Sequence, residues 1–160
     1  MRIAVHAVGR MKAGPERELA ERYFERFAKA GPGIGLEWAG LAEIAESRAR
    51  TQAERRREEA RMLETQIAGG AALVLLDERG KNLSSEELAA WIGQRRDQGP
   101  RDLVIAIGGP DGHDASLRAS AALSLSFGKL TWPHQLARVM IGEQLYRVAT
   151  ILAGHPYHRA

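Results

Sequence analysis

Short continuous apolar runs recur at Ile3 to Val8, Ala71 to Leu76 and Leu103 to Ile107. Such runs are the mark of strands buried on both faces. The segments between them carry a different period. Gly14-Pro15 opens a predicted helix to about Lys29, with Pro at an early turn position. Leu19, Tyr23, Phe24 and Phe27 lie three or four apart there and form its predicted buried stripe. Gly31-Pro32-Gly33 breaks this helix, and Ile34 to Trp38 alternates as a weaker strand. Glu43 to Ile67, rich in Ala, Glu and Arg, reads as a long helix ended by Gly69-Gly70. Ser84 and Ser85 with Glu86 and Glu87 form an N-cap signal for a helix to about Arg96, and Gly99-Pro100 is a turn. His113-Asp114 precedes a short helix through Ala121, and Leu123 to Ser126 is a last short strand. Pro133 starts a long apolar helix through Ile151 or Leu152, stopped by Gly154 and Pro156.

Strands alternate with helices throughout, which predicts an α/β fold with a mostly parallel sheet and helices on both faces. The 160 residues suit one domain over 1–160, with no linker or internal repeat. Hydrophobic residues at 44% and charged residues at 27% fit a globular chain. No run approaches the roughly 20 apolar residues of a membrane span, and the first residues read straight into a strand with no signal-peptide pattern. A cytoplasmic protein without a membrane partner is therefore expected. With no cysteine, disulfides, thiolate zinc sites and a cysteine nucleophile are excluded. The net charge of +3 and a pI near 9.6 lean only weakly towards nucleic acid.

In an open α/β sheet, ligands bind beyond the carboxyl ends of the strands. Three such ends carry glycine: Leu75 to Lys81, Ile107 to Asp114, and Phe127 to Pro133. Glycine lets backbone groups approach a ligand without side-chain obstruction. Gly108-Gly109-x-x-Gly112 is not the dinucleotide fingerprint, and neither Gly80-Lys81 nor Gly128-Lys129 completes a Walker A loop. No GxSxG elbow is present. His155 and His158 have metal-like spacing, but Pro156 disfavours a helix and carboxylate partners are absent nearby, so no metal is expected. Asp77 and Glu78 are either an acid pair or a solvated loop. Trp132 is either a core anchor or a ring lining a pocket. Arg55-Arg56-Arg57 is either a phosphate contact or a helix face paired with Glu54, Glu58, Glu59 and Glu64.

The chain end is unusually rich in chemistry. It holds three of the five histidines and closes with Tyr157-His158-Arg159. Arg138 and Arg147 lie on the last helix among so many apolar residues that both its faces need cover, one of them from another chain. Each arginine either snorkels to solvent or aims at a phosphate across an interface.

Ile107-Gly-Gly-Pro-Asp-Gly-His113, Leu125-Ser-Phe-Gly-Lys-Leu-Thr-Trp-Pro-His134, Glu143-Gln-Leu-Tyr-Arg147 and His155-Pro-Tyr-His-Arg159 carry a resemblance. Together they resemble the SPOUT superfamily of RNA methyltransferases. Within it, they are similar to the bacterial family that methylates N3 of a pseudouridine in the helix 69 loop of 23S ribosomal RNA. The resemblance implies a carboxyl-terminal trefoil knot, a homodimer, S-adenosylmethionine as cofactor and the assembled ribosome as substrate. It places the cofactor on Leu76, Gly108, Phe127, Gly128, Lys129, Leu130, Thr131 and Trp132, the same three loops. It sets Tyr157, His158 and Arg159 against the target base. Arg147, Tyr157 and His158 are then the candidate catalytic residues, with His158 or a neighbour assisting proton removal. His134, Arg138 and Arg159 are the candidate RNA contacts. The competing expectation is a non-catalytic α/β dimer that holds ribosomal RNA.

Overall fold

A computed structural model describes residues 1–67 and 69–159. Five strands form one all-parallel sheet: β1 (Arg2–Val8), β2 (Glu37–Ile44), β3 (Ala72–Lys81), β4 (Asp102–Ile107) and β5 (Leu123–Leu125). Their order across the sheet is β2-β1-β4-β3-β5. Among the described residues five α-helices connect or follow them: α1 (Pro15–Ala30), α2 (Gln52–Gln66), α3 (Ser85–Gln98), α4 (Ala115–Ser120) and α5 (His134–Leu152).

The apolar runs are continuous because both faces of the sheet are covered. Along β4, Leu103, Ile105 and Ile107 join one core, while Val104 and Ala106 join the other. This is the period-two alternation of a strand, with neither face left to water. The first core takes Phe24 and Phe27 from α1, Leu88 and Ile92 from α3, and Ile141, Leu145 and Val148 from α5. The second takes Ala60 and Leu63 from α2 and Leu117 from α4. Helices therefore lie on both faces, as the alternation predicted.

Two expectations need correction. The strand at Ile34 to Trp38 and the start of the long helix at Glu43 give way to β2 over Glu37–Ile44. Pro32–Ile34 is a short 3-10 turn, and the helix begins only at Gln52. β2 is an edge strand paired on one side only, so its residues alternate between partly buried and exposed. Its Ala and Glu content then mimics a helix. The true helix start is set by a reciprocal cap: Thr51 accepts from the Glu54 N–H at 3.2 Å, and Glu54 accepts from the Thr51 N–H at 3.2 Å.

β3 also runs past its apolar portion to Lys81. Leu76 and Lys81 both pair with Leu125, so residues 77–80 bulge out between two points of one neighbouring strand. The chain crosses itself closely there. A Cβ on Gly80 would lie 2.7 Å from backbone atoms of Ser124 and Leu125.

Candidate active site

The loops after β3, β4 and β5 converge on one cleft of about 590 Å³. Leu76, Gly108, Phe127, Gly128, Leu130, Thr131 and Trp132 line it; Lys129 is exposed and lies outside the lining. Each loop owes its shape to glycine or to a buried hydroxyl. After β4, Gly112 has φ +77° and donates its N–H to the Gly109 carbonyl at 3.0 Å, closing a tight turn. Gly108 is packed against that turn, since an added Cβ would meet the Gly112 carbonyl carbon and His113 Cε1 at 3.2 Å. After β5, the buried Ser126 hydroxyl lies 2.9 Å from the Gly128 carbonyl and 3.2 Å from that of Glu78. It also accepts the Gly128 N–H at 3.2 Å. Gly128 sits at φ +107° with nothing within 4 Å of where a Cβ would stand.

Trp132 is 41% exposed, and its Nε1–H donates to the Phe127 carbonyl at 3.2 Å. The indole thus forms part of the cleft wall and is not a core anchor. Asp77 and Glu78 do not form an acid pair. Glu78 is exposed, while Asp77 accepts from Arg118 Nε at 2.6 Å and from the Arg79 N–H at 2.9 Å. Burial alone pushes the Asp77 carboxyl up, but these donors outweigh it and hold it below the usual range. Arg55 is not paired with the acids of its own helix. It reaches Asp111 in the β4 loop, Nε to Oδ2 at 2.6 Å. Arg56 and Arg79 stand in the cleft wall.

Sequence reasoning missed the residues beneath this cleft. Buried His113 places Nε2 3.1 Å from the Leu76 carbonyl oxygen. Buried Glu59 accepts the Ser47 N–H at 2.9 Å, and a Cβ on Gly109 would meet its carboxylate at 3.1 Å. Burial pushes the Glu59 carboxyl up. The only sequence signals were a histidine ending a glycine loop and an acid two residues after three consecutive arginines.

The chain end forms a second cluster. Glu143 accepts from Arg147 Nε at 2.9 Å, from Arg147 Nη2 at 2.5 Å and from the Tyr157 hydroxyl at 3.0 Å. The Arg147 guanidinium lies 4.9 Å from the centre of the Tyr157 ring. Burial first, then the Glu143 carboxylate, push the Tyr157 hydroxyl up to about 12. His158 places Nδ1 3.1 Å from Arg147 Nη1 and Nε2 2.6 Å from Glu86 Oε1. The three candidate catalytic side chains are therefore together. Glu86 and Glu143, which organise them, were read only as a cap signal and a motif letter. The cap of α3 in fact uses Ser84 and Glu87, leaving Glu86 free.

None of Arg147, Tyr157 or His158 lines the cleft of their own chain. His134 does line it, and Arg159 is exposed. Arg138 is a correction. Its side chain is 3% exposed, Nη1 donates to Glu43 Oε2 at 2.7 Å, and Nη2 donates to the Gly9 carbonyl. It neither snorkels nor faces a phosphate, because β1 and β2 take its guanidinium into the protein.

A second cleft of about 570 Å³ opens between α1, the start of α3 and α5. Leu19, Tyr23, Leu83, Val139 and Met140 give it an apolar lining, and Leu125, Phe127 and Gly128 belong to both clefts. No helix among the described residues is long and apolar enough to cross a membrane.

A parallel sheet with three glycine-bearing loops gathered round one cleft at its carboxyl edge defines an α/β protein with its ligand cleft beyond the strand ends. Residues 1–158 match the family described as "Predicted SPOUT methyltransferase". Over 160 residues, the whole of both chains, it is 69% identical to "Ribosomal RNA large subunit methyltransferase H" of Mesorhizobium japonicum. It is 64% identical to the protein of the same name from Brucella anthropi, again over 160 residues and 100% of each chain. The solved SpoU methyltransferase AviRb of Streptomyces viridochromogenes, in complex with AdoMet, aligns at 13% identity with a TM-score of 0.41, over 90% of this chain and 56% of that one. The chain belongs to the SPOUT methyltransferase family.

Proposed function

We propose that this methyltransferase transfers a methyl group from S-adenosylmethionine to N3 of a pseudouridine in the helix 69 loop of 23S ribosomal RNA, acting in the cytoplasm on assembled ribosomes. The observation that carries this reading is the convergence of three glycine-bearing strand ends on one cleft, beside a separate cationic and aromatic chain end. The full-length relatives named for ribosomal RNA methylation support it.

The cleft suits the cofactor. The open space above Gly128 and the turn at Gly109–Gly112 leave backbone groups unobstructed, and Leu76, Phe127, Leu130 and Trp132 supply apolar cover. Leu76, Gly108 and the stretch Phe127 to Trp132 would hold the nucleoside and amino-acid parts, largely through backbone groups, with Lys129 bordering the mouth. We read the close crossing at Gly80 as part of the trefoil knot. When bound, S-adenosylmethionine would supply a methyl group activated on a sulfonium, for an N3 that has given up its proton to solvent. The work of this chain is to orient, to exclude water and to stabilise the imide anion that attacks.

Arg147, Tyr157 and Arg159 are the residues we assign to the base. They stand outside the lining of their own chain's cleft. We therefore propose a homodimer in which the tail of one protomer completes the cleft of its partner. The apolar second cleft, which shares Leu125, Phe127 and Gly128 with the first, is the face such a partner would cover. Arg56, Arg79 and His134 at the cleft would contact the ribosomal RNA beside Arg159.

The test is transfer of labelled methyl to ribosomes lacking this modification, with separated subunits and free RNA in parallel. Incorporation at N3 of one large-subunit pseudouridine, best on assembled ribosomes, is expected. Cofactor binding without transfer to any of them would point to another acceptor. Absence of cofactor binding would leave a non-catalytic RNA-binding dimer.

A further inference from the structure

The tail is tied to α3 and α5 by polar contacts whose directions are fixed. A guanidinium N–H only donates, and an ionised carboxylate only accepts. Glu86 is ionised: its own N–H first, then His158 and Ser84, pull its carboxyl down to about 2. The His158 ring lies between Arg147 Nη1, 3.1 Å from Nδ1, and Glu86 Oε1, 2.6 Å from Nε2. The ring must therefore offer a lone pair at Nδ1 and an N–H at Nε2. Its two partners select one tautomer. Neither nitrogen is left to receive a proton from a substrate, so the expected role of His158 in proton removal does not fit this arrangement.

The same contacts leave Arg147 well prepared. Three of its N–H groups are used, two by Glu143 and one by His158. A guanidinium carries five, so among the described residues two remain without a partner, one on each terminal nitrogen, and the side chain is 25% exposed. Glu143 fixes one edge of the guanidinium, and His158, braced by Glu86, fixes another.

We propose that His158 is a positioning residue rather than the proton acceptor, and that Glu86 is the outer member of a Glu86–His158–Arg147 relay that aims the two free N–H groups of Arg147 at the anionic oxygens of the target base. This rests on the methyltransferase reading above. The charge spreading from N3 to its flanking carbonyls is what such a fork stabilises. The groups facing the His158 ring are Glu86 from α3 and Arg147 from α5, with Glu143 and Tyr157 one contact further out.

The experiment measures kcat, KM for ribosomes and cofactor affinity for the full-length protein and for Glu86→Ala, Glu86→Gln, His158→Ala and His158→Gln, from pH 5.5 to 9. Glutamine can replace either partner: at 86 its amide oxygen still accepts, and at 158 it accepts from Arg147 while donating to Glu86. We expect both alanine variants to lose about tenfold or more in kcat, with cofactor affinity and melting temperature unmoved. Both glutamine variants recover most of that loss, and His158→Gln keeps the wild-type pH profile. Full kcat in Glu86→Ala overturns the relay. So does a His158→Gln variant as inactive as His158→Ala, or one whose pH profile loses its ionisation, because that makes His158 the base. A wild-type protein that binds cofactor but methylates no ribosome overturns the functional reading instead, and the relay with it.

Discussion

Nε2 of His113 lies 3.1 Å from the carbonyl oxygen of Leu76, so one buried ring joins the loop after β4 to the end of β3. Both line the cleft proposed to hold the cofactor. Burial lowers the pKa of His113 against the opposing pull of Asp77 and the Leu76 carbonyl. The unfolded imidazole takes a proton at about pH 6.5, and the folded one only at lower pH. The unfolded state therefore binds more protons as the pH drops through that window, and stability falls with it. Buried His6, also lowered by desolvation, acts in the same direction. Thermal melts should show a lower melting temperature at pH 5.5 than at pH 7.5. His113→Phe should flatten that difference without abolishing it, and should weaken S-adenosylmethionine binding about tenfold by loosening the Leu76 strand end. An unchanged pH dependence in the variant would place the acid sensitivity elsewhere.

The strands through the middle of the sheet were legible because burial on both faces leaves almost no polar position, His6 in β1 being the exception. The edge strand β2 was not, since half-exposure gives Glu37 to Ile44 the Ala and Glu content of a helix. The cleft was legible as three glycine loops, for glycine marks places where backbone must come close. The Glu86–His158 contact was invisible: it joins residues 72 apart in sequence, and only the packing of α3 beside α5 brings them together. Arg138 was misread for a related reason. Nothing local announces that Glu43, 95 residues away, will claim its guanidinium.

Gly80 and Gly128 lie on touching loops yet have opposite reasons for being glycine. A Cβ at Gly80 would stand 2.7 Å from the Ser124 and Leu125 backbone, whereas one at Gly128 meets nothing but a φ of +107°. Gly128→Ala should cost about 1–2 kcal/mol of backbone strain and leave a folded protein. Gly80→Ala must push two strands apart, and should cost about 3 kcal/mol or prevent folding. Denaturant melts of the two variants would reverse this account if Gly128→Ala proved the weaker.

Arg138 and Glu43 form a largely buried pair across α5 and β2, and Arg138 also holds the Gly9 carbonyl. Glu43→Ala leaves that guanidinium buried with its charge unmatched, and should destabilise the protein by about 3 kcal/mol. Burial pushes the Glu43 carboxyl up, but Arg138 and the Met11 N–H outweigh it, and the net shift is downward. A carboxylate with a lowered folded pKa contributes stability that is present above its unfolded value of about 4.3 and lost as the pH falls below it. The stability lost between pH 7 and pH 3 should therefore be larger in wild type than in Arg138→Met, which no longer gains from ionising Glu43. Equal losses in the two proteins would show that the pair makes no net contribution.

Trp132 offers a direct reading of cofactor binding. Its indole is 41% exposed in the cleft wall, held by one bond to the Phe127 carbonyl. The other two tryptophans lie outside the cleft: Trp38 stacks on Phe24 at 4.6 Å, and Trp91 carries Arg95 at 5.1 Å. A ligand covering Phe127 to Trp132 takes the Trp132 ring out of water and leaves the others alone. Titration with S-adenosylmethionine should shift the tryptophan emission to the blue and saturate. Trp132→Phe should bind with little loss but without that signal. Trp132→Ala should lose about three- to tenfold in affinity, the worth of one aromatic contact. A saturating emission change that survives in Trp132→Phe would place the cofactor away from the loop after β5, and with it the whole assignment of the cleft.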